Sequence, residues 1–221
     1  MSHDQYRHEH DKKLKAKFHW LTKIRKFWQS DINRATLQLV EIKPGETVLD
    51  IGAGMGPATV AAALQGAKVI AVEPSSFMIT IHSIRRLGQK ERNQKVVADG
   101  VAETLPVEDK TIDAAWTVNA VHHWVDLEAA FDELARVLAP GGRIVLLDED
   151  YTHPDHPLHE THHGHEDELT NVYVDEIAEA LTARGVHATG QLTTAAAVSY
   201  THLRAHETLR YLVCRVLREK K

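Results

Sequence analysis

One cysteine, Cys214, is present among 221 residues. A disulfide framework and a thiolate metal cluster are thereby excluded. Long apolar runs are missing too, so no segment reads as a transmembrane helix. Positive charge is not in surplus: 26 lysines and arginines face 31 acidic residues, a formal charge of −5. That balance argues against a general nucleic-acid binder. The N-terminus, MSHDQYRHEHDKK, lacks the apolar core of a secretory signal, and a cytoplasmic protein is the expectation. No internal repeat is visible. What remains is a chain with 43% hydrophobic residues, long enough for one sizeable core and too short for two ordinary domains.

Basic residues do cluster locally. Across the first thirty positions Arg7, Lys12, Lys13, Lys15, Lys17, Lys23, Arg25 and Lys26 face only Asp4, Glu9 and Asp11. Leu14, Phe18, Leu21, Ile24 and Trp28 recur at helical spacing, which predicts a helix over 5–28. A second helix is expected from Ser30 or Asp31 to about Val40. Residues 1–40 thus form an N-terminal helical segment. It reads as a lid over an acceptor pocket, a packed helix or a membrane-surface contact, and the apolar stripe favours the first two.

From residue 41 to 197 strands and helices alternate. ETVLDIG, AKVIAVE, KVVAD, TIDAAWTVNA and RIVLLDED read as five strands, and VHATGQLTT as a sixth. PATVAAALQG, the stretch from Ser75 to about Leu87, LEAAFDELARVL capped by Asp126, and TNVYVDEIAEALTARG read as helices. Pro140-Gly141-Gly142 is expected to turn the chain into the fifth strand. Such alternation implies an α/β domain with a mostly parallel, Rossmann-like sheet and helices on both faces.

Ligands of open parallel sheets bind at the carboxyl ends of the strands. Asp50, Glu73 and Asp99 sit at the first three such ends. The first also carries Gly52-Ala53-Gly54-Met55-Gly56, where glycine lets the backbone turn tightly and approach a ligand. Glu73 lies 23 positions beyond Asp50, the separation at which a carboxylate meets ribose hydroxyls. Pro57 replaces the third glycine of a dinucleotide fingerprint and removes an N–H that a pyrophosphate would use. Asp50, two residues before the first glycine, would repel a phosphate. A phosphate-free cofactor with a cationic sulfonium and an amino group suits this rim, and S-adenosylmethionine is such a cofactor. A nicotinamide dehydrogenase ranks behind it.

VLDIGAGMG resembles the first signature of class I methyltransferases, and AVEPS resembles their second-strand acid. DGVAETLPVEDKTIDAAWTVNAVHHW and ARVLAPGGRIVLLD resemble the segments that follow. Together they are similar to the small-molecule group that includes the ubiquinone and menaquinone biosynthesis enzymes. The resemblance implies that Gly52, Ala53, Gly54 and Gly56 border the methionine portion, with Asp50 fixing the loop and the amino group. It implies further that Glu73 takes the ribose hydroxyls beside Pro74 and Ser75. Asp99, Gly100, Val101 and Ala102 would hold the adenine, and the Asn119 carbonyl would face the amino group.

Methyl transfer from a sulfonium asks the protein mainly to position the nucleophile and exclude water. A general base helps only a protonated nucleophile. His122 and His123 follow the fourth strand, and His123 is the favoured candidate because the resembled family often keeps a histidine there. For either residue alone, packing and capping is the slightly favoured explanation. Asn119-Ala120-Val121-His122 departs from the (Asp/Asn)-Pro-Pro-(aromatic) pattern of enzymes that methylate exocyclic amines of nucleic acids. The expected partner is a small organic acceptor, methylated on O, N or C. A non-catalytic S-adenosylmethionine-binding regulatory or interaction protein is the competing reading.

Two further segments stand out. His153, His156, His159, His162, His163 and His165 crowd a stretch broken by Pro154, Pro157 and Gly164. Their spacing fits no defined metal site, so an exposed loop is expected there instead of a metal centre. Residues 198–221, VSYTHLRAHETLRYLVCRVLREKK, resemble the in-frame translation of a transposase-type sequencing adapter. They are therefore expected to be a non-native tail, although YLVCRVL has strand composition. The remaining portion carries 20 basic against 29 acidic residues, a formal charge of −9, and no cysteine.

Overall fold

A computed structural model describes residues 28, 31–149, 173–194 and 210–217. The helix expected over 5–28, apart from Trp28, and the histidine-rich loop lie outside the described residues. The described chain runs α1 (Asp31–Val40), β1 (Thr47–Ile51), α2 (Pro57–Leu64), β2 (Lys68–Glu73), α3 (Ser76–Leu87) and β3 (Lys95–Asp99). It continues through β4 (Ile112–Val118), α4 (Leu127–Val137), β5 (Leu138–Glu149), α5 (Val174–Ala183), β6 (His187–Thr194) and β7 (Arg210–Leu217).

The sheet has the order β3-β2-β1-β4-β5-β7-β6. Strands β1 to β5 are parallel to their neighbours, as the alternation of elements requires, while β7 runs antiparallel to both β5 and β6. Strand order reverses between β1 and β4, which opens a crevice at their carboxyl ends. Side chains alternate across the sheet. Val48, Trp116, Val145 and Leu147 pack with α1 and α2 on one face. Leu49, Ile51, Ala115, Ile144 and Leu146 pack with α4 and α5 on the other.

Helix starts follow local chemistry. Ser75 Oγ accepts the Met78 N–H at 3.3 Å to cap α3, and Asp126 Oδ1 accepts the Ala129 N–H at 3.0 Å to cap α4. Pro57 opens α2, where its missing N–H costs nothing.

Two details differ from the sequence reading, and a third falls in the segment expected to be a non-native tail. Pro140-Gly141-Gly142 is not a turn ahead of a strand but an irregularity inside β5: register jumps from Ile112 opposite Leu138 to Ala114 opposite Arg143. Gly142 is required there, because a Cβ would meet the carbonyl oxygens of Ala139 and Ile112 at 2.8 Å. Strand β4 stops at Val118, since Asn119 takes a left-handed conformation with φ 50°. Finally, β7 fills the place between β5 and β6, within the segment that resembles adapter sequence.

Arg143 ties the foot of the sheet together. Its guanidinium forks onto Glu46 at 2.9 and 2.7 Å and also donates to the carbonyls of Val40 and Glu41. Strand starts thus carry cations and strand ends acids: Lys68 to Glu73 in β2, Lys95 to Asp99 in β3.

Candidate functional site

The glycine loop leaves β1 with Gly52, Gly54 and Gly56 all at positive φ, of 70°, 53° and 81°. The Gly52 and Ala53 N–H groups both donate to the Val72 carbonyl, so the loop folds back over β2. A Cβ on Gly52 would lie 2.6 Å from that of Ala120, because the β4 exit passes directly alongside. On Gly54 the same Cβ would meet nothing within 4 Å, so this part of the loop faces open space. Gly56 is backed by His82 on α3: an added Cβ would come within 2.2 Å of Nε2.

His82 is 1% exposed and neither ring nitrogen has a hydrogen-bond partner. Burial pushes its pKa down to about 4, and the nearby charges of Lys95, Arg86 and Arg85 act in the same direction. The imidazole is therefore a neutral wedge under the loop. Sequence reading missed it, because nothing in SFMITIHSIRRL marks which residue meets the glycine loop.

Two acids flank this loop. Asp50 is 3% exposed, and Thr59 Oγ1 on α2 donates to it at 2.6 Å. Burial pushes its pKa up to about 7 and the charge of Glu73 adds to this. Thr59 opposes the shift, as does the Trp116 indole, which stays outside hydrogen-bond geometry. Glu73, 6% exposed, accepts the Gly54 N–H on Oε2 at 2.8 Å and the Ser75 N–H on Oε1 at 2.9 Å. One carboxylate thus fixes both the glycine loop and the start of α3.

Asp99 lies opposite Glu73 in register and is exposed. Gly100 follows, with Pro106 and Val72 each 3.0 Å from where its Cβ would be. Val101 pairs with Thr104 in an isolated bridge, Ala102 is buried, and Pro74 is half-buried.

The β4 exit brings in residues that the sequence had not assembled. Asn119 Nδ2 donates to Glu149 Oε1 at 2.8 Å, while its buried Oδ1 has no partner. Val121–His123 forms a 3-10 turn. His122 Nδ1 lies 2.7 Å from Asp148 Oδ1, and the His122 N–H donates to Asp148 Oδ2 at 3.1 Å. The imidazole of His123 sits 4.0 Å from that of His122 and is less buried. Asp148 is thus a partner of His122, with His123, the histidine favoured from sequence, beside it. Asp148 and Glu149 were missed, although the strand-end logic that selected Asp50, Glu73 and Asp99 applies to the fifth strand as well.

These groups make an acidic mouth: Asp50, Glu73, Asp99, Asp148 and Glu149 end four strands around one crevice. A dinucleotide pyrophosphate fits it poorly. A cationic, phosphate-free ligand fits, with open space over Gly54 and the orphaned Asn119 Oδ1 as an acceptor. Among the described residues no cluster of three or more histidine, cysteine or acidic side chains could hold a metal ion. No helix among them is long and apolar enough to cross a membrane.

Residues 49–146, which carry Asp50, Glu73 and Asp99 of this mouth, match the family model described as a methyltransferase domain. They form a class I S-adenosylmethionine-dependent methyltransferase domain. The chain is 38% identical over 124 residues to a demethylmenaquinone methyltransferase of Clavibacter sepedonicus, covering 56% of this chain and 49% of that one. The chain thus spans about half the length of that curated relative. The YcgJ protein of Bacillus subtilis shares the fold with a TM-score of 0.69 at 18% identity, over 86% of this chain and 98% of that one. A geranyl diphosphate methyltransferase in complex with S-adenosylmethionine does so with a TM-score of 0.69 at 17% identity, over 94% and 92%. Of the acids at this mouth, Asp148 and Asp50 are the most enclosed, at 2% and 3% exposure.

Proposed function

We propose that this chain transfers the methyl group of S-adenosylmethionine to a small organic acceptor, on an O, N or C nucleophile. The observation that carries the reading is the double hold of Glu73 on Gly54 and Ser75, which keeps a buried carboxylate beside the glycine loop. Ribose hydroxyls would donate to that carboxylate in charge-assisted hydrogen bonds. Gly52 to Gly56 would follow the methionine portion, Asp50 steadying the loop through Thr59. Asp99 and the Gly100–Ala102 backbone would hold the adenine. Bound S-adenosylmethionine supplies a methyl group already activated on a cationic sulfur. The chain's task is then to align the acceptor and keep water out. The names of the demethylmenaquinone methyltransferase relative and of the geranyl diphosphate methyltransferase that shares the fold support a small acceptor.

Calorimetric titration with S-adenosylmethionine, followed by an assay for S-adenosylhomocysteine release over phenols, amines and activated carbon acids, tests this. Binding together with release is expected. Binding without release over the whole panel would favour a non-catalytic binding module, and preference for a nicotinamide dinucleotide would remove the reading.

A further inference from the structure

We propose that Glu103 is a positioning residue: it passes occupancy of the adenine side of the cofactor site to the turn at 121–126, so that the acceptor side is completed only when the cofactor is in place. This rests on the methyltransferase reading above and on its assignment of the adenine to Asp99 and the Gly100–Ala102 backbone. Glu103 follows that backbone directly. Its Oε1 accepts the Val125 N–H at 2.7 Å and the Asp126 N–H at 3.2 Å, across 22 and 23 residues of sequence. The turn it reaches carries His122 and His123, the candidates for work on the acceptor, and ends at the cap of α4. One carboxylate oxygen thus joins the segment that would meet the adenine to the end of the acceptor-side turn.

Local structure makes the link stiff. The Thr104 N–H donates to the Val101 carbonyl at 3.2 Å and the two residues pair in an isolated bridge, so 101–104 is a tight turn that fixes where the Glu103 side chain starts. Gly100, just ahead of it, lies so close to Val72 and Pro106 that a Cβ would be 3.0 Å from each. Ala102 and Leu105, 3% and 4% exposed, belong to the same buried cluster as Val121 and Trp124. Close-packed groups pass on a displacement instead of absorbing it. The stretch that follows is held to the body of α4: Glu133 Oε2 accepts the Leu105 N–H at 2.7 Å, and Arg136 donates to the carbonyls of Leu105 and Val107 at 3.1 and 2.8 Å. Glu103 instead reaches the turn ahead of that helix, where Val125 is exposed and the backbone opens locally at low cost.

Held and released forms of this turn are the two states that both ends bias. Adenine against the Gly100–Ala102 backbone favours the form in which Glu103 holds Val125 and Asp126. By reciprocity, closing the turn favours the adenine by the same factor. The bonds need a lone pair at the Oε1 position and not a charge. A glutamine keeps an amide oxygen there, whereas a leucine keeps only the bulk.

The test uses the full chain, Glu103→Leu and Glu103→Gln, with saturating adenosine as the probe. Adenosine has no methionine portion, so it has nothing with which to touch the β4 exit directly. Hydrogen exchange should show adenosine slowing the amides of 101–104 in all three proteins. In the wild type it should also slow the amides of Val125 and Asp126, by about tenfold. Glu103→Gln should keep this second effect, and Glu103→Leu should lose it while 101–104 still respond. A purely structural bond would protect Val125 and Asp126 equally with and without adenosine. Exchange at 125–126 that ignores adenosine in the wild type, or that responds fully in Glu103→Leu, overturns the proposal. The wild-type comparison decides alone if Glu103→Leu does not fold. No response to adenosine at 101–104 overturns it too, and titration with S-adenosylmethionine then tells whether the methyltransferase reading falls with it.

Discussion

The imidazole of His82 is packed so closely against Gly56 that a Cβ there would reach 2.2 Å from Nε2. Gly56 also has φ 81°, a conformation L residues rarely adopt. Gly56→Ala should therefore destabilise the fold by about 1–3 kcal/mol through strain and overpacking. Denaturant unfolding measures this, and a calorimetric titration should show weakened S-adenosylmethionine binding. An unchanged midpoint would mean that the loop and α3 separate freely.

Acid should act on the same contact. Folded His82 resists protonation down to about pH 4, whereas the unfolded residue takes a proton near the ordinary imidazole value of 6.5. The unfolded state binds more protons between these values, so this contribution is complete above pH 6.5 and is lost as pH falls towards 4. Asp50 works oppositely: the folded carboxyl keeps its proton up to about 7 against 3.8 unfolded, so its contribution fades as pH rises through that range. His82→Leu should remove the acid-side loss and leave stability falling from pH 4 to 7. Thermal unfolding at a series of pH values would expose the difference, and parallel curves for the two proteins would contradict it.

Removal of the Glu73 carboxylate should disturb two things at once. Glu73→Ala frees the N–H groups of Gly54 and Ser75 and withdraws the proposed ribose ligand. S-adenosylmethionine binding should weaken by more than ~1.5 kcal/mol, the scale of a lost charge-assisted hydrogen bond. Glu73→Gln, which can keep one N–H acceptor, should bind between the two. Unchanged affinity in calorimetry would remove the ribose assignment.

Residues 198–221 call for a nucleotide-level test. Their resemblance to a sequencing adapter predicts that codons 198–221 spell that adapter. If so, β7 occupies a position between β5 and β6 that belongs to another segment. Independent reads that continue through these codons unchanged would make the strand native.

Much of the site was legible because it is local in sequence. The glycines, Asp50 and the start of α2 lie within ten residues, and hydrophobic runs mark the strands that carry Glu73 and Asp99. His122 and Asp148 are 26 residues apart, and only the parallel pairing of β4 with β5 brings them together. The His82 contact depends on how α3 is rotated, which spacing alone does not specify. The internal bulge of β5 escaped for a related reason: Pro-Gly-Gly marks an irregular backbone without saying whether pairing resumes in the same strand.

The opposed ends of the strands have a consequence for how a ligand arrives. Cations at the foot and acids at the mouth give the crevice a directional field on a chain whose net charge is already −5. A positively charged molecule is drawn towards the mouth before it touches any side chain, and association is faster than unbiased collision allows. That attraction reaches only about 8 Å at physiological ionic strength and shrinks with added salt. Salt should therefore slow capture more than it hastens escape once the ligand is enclosed.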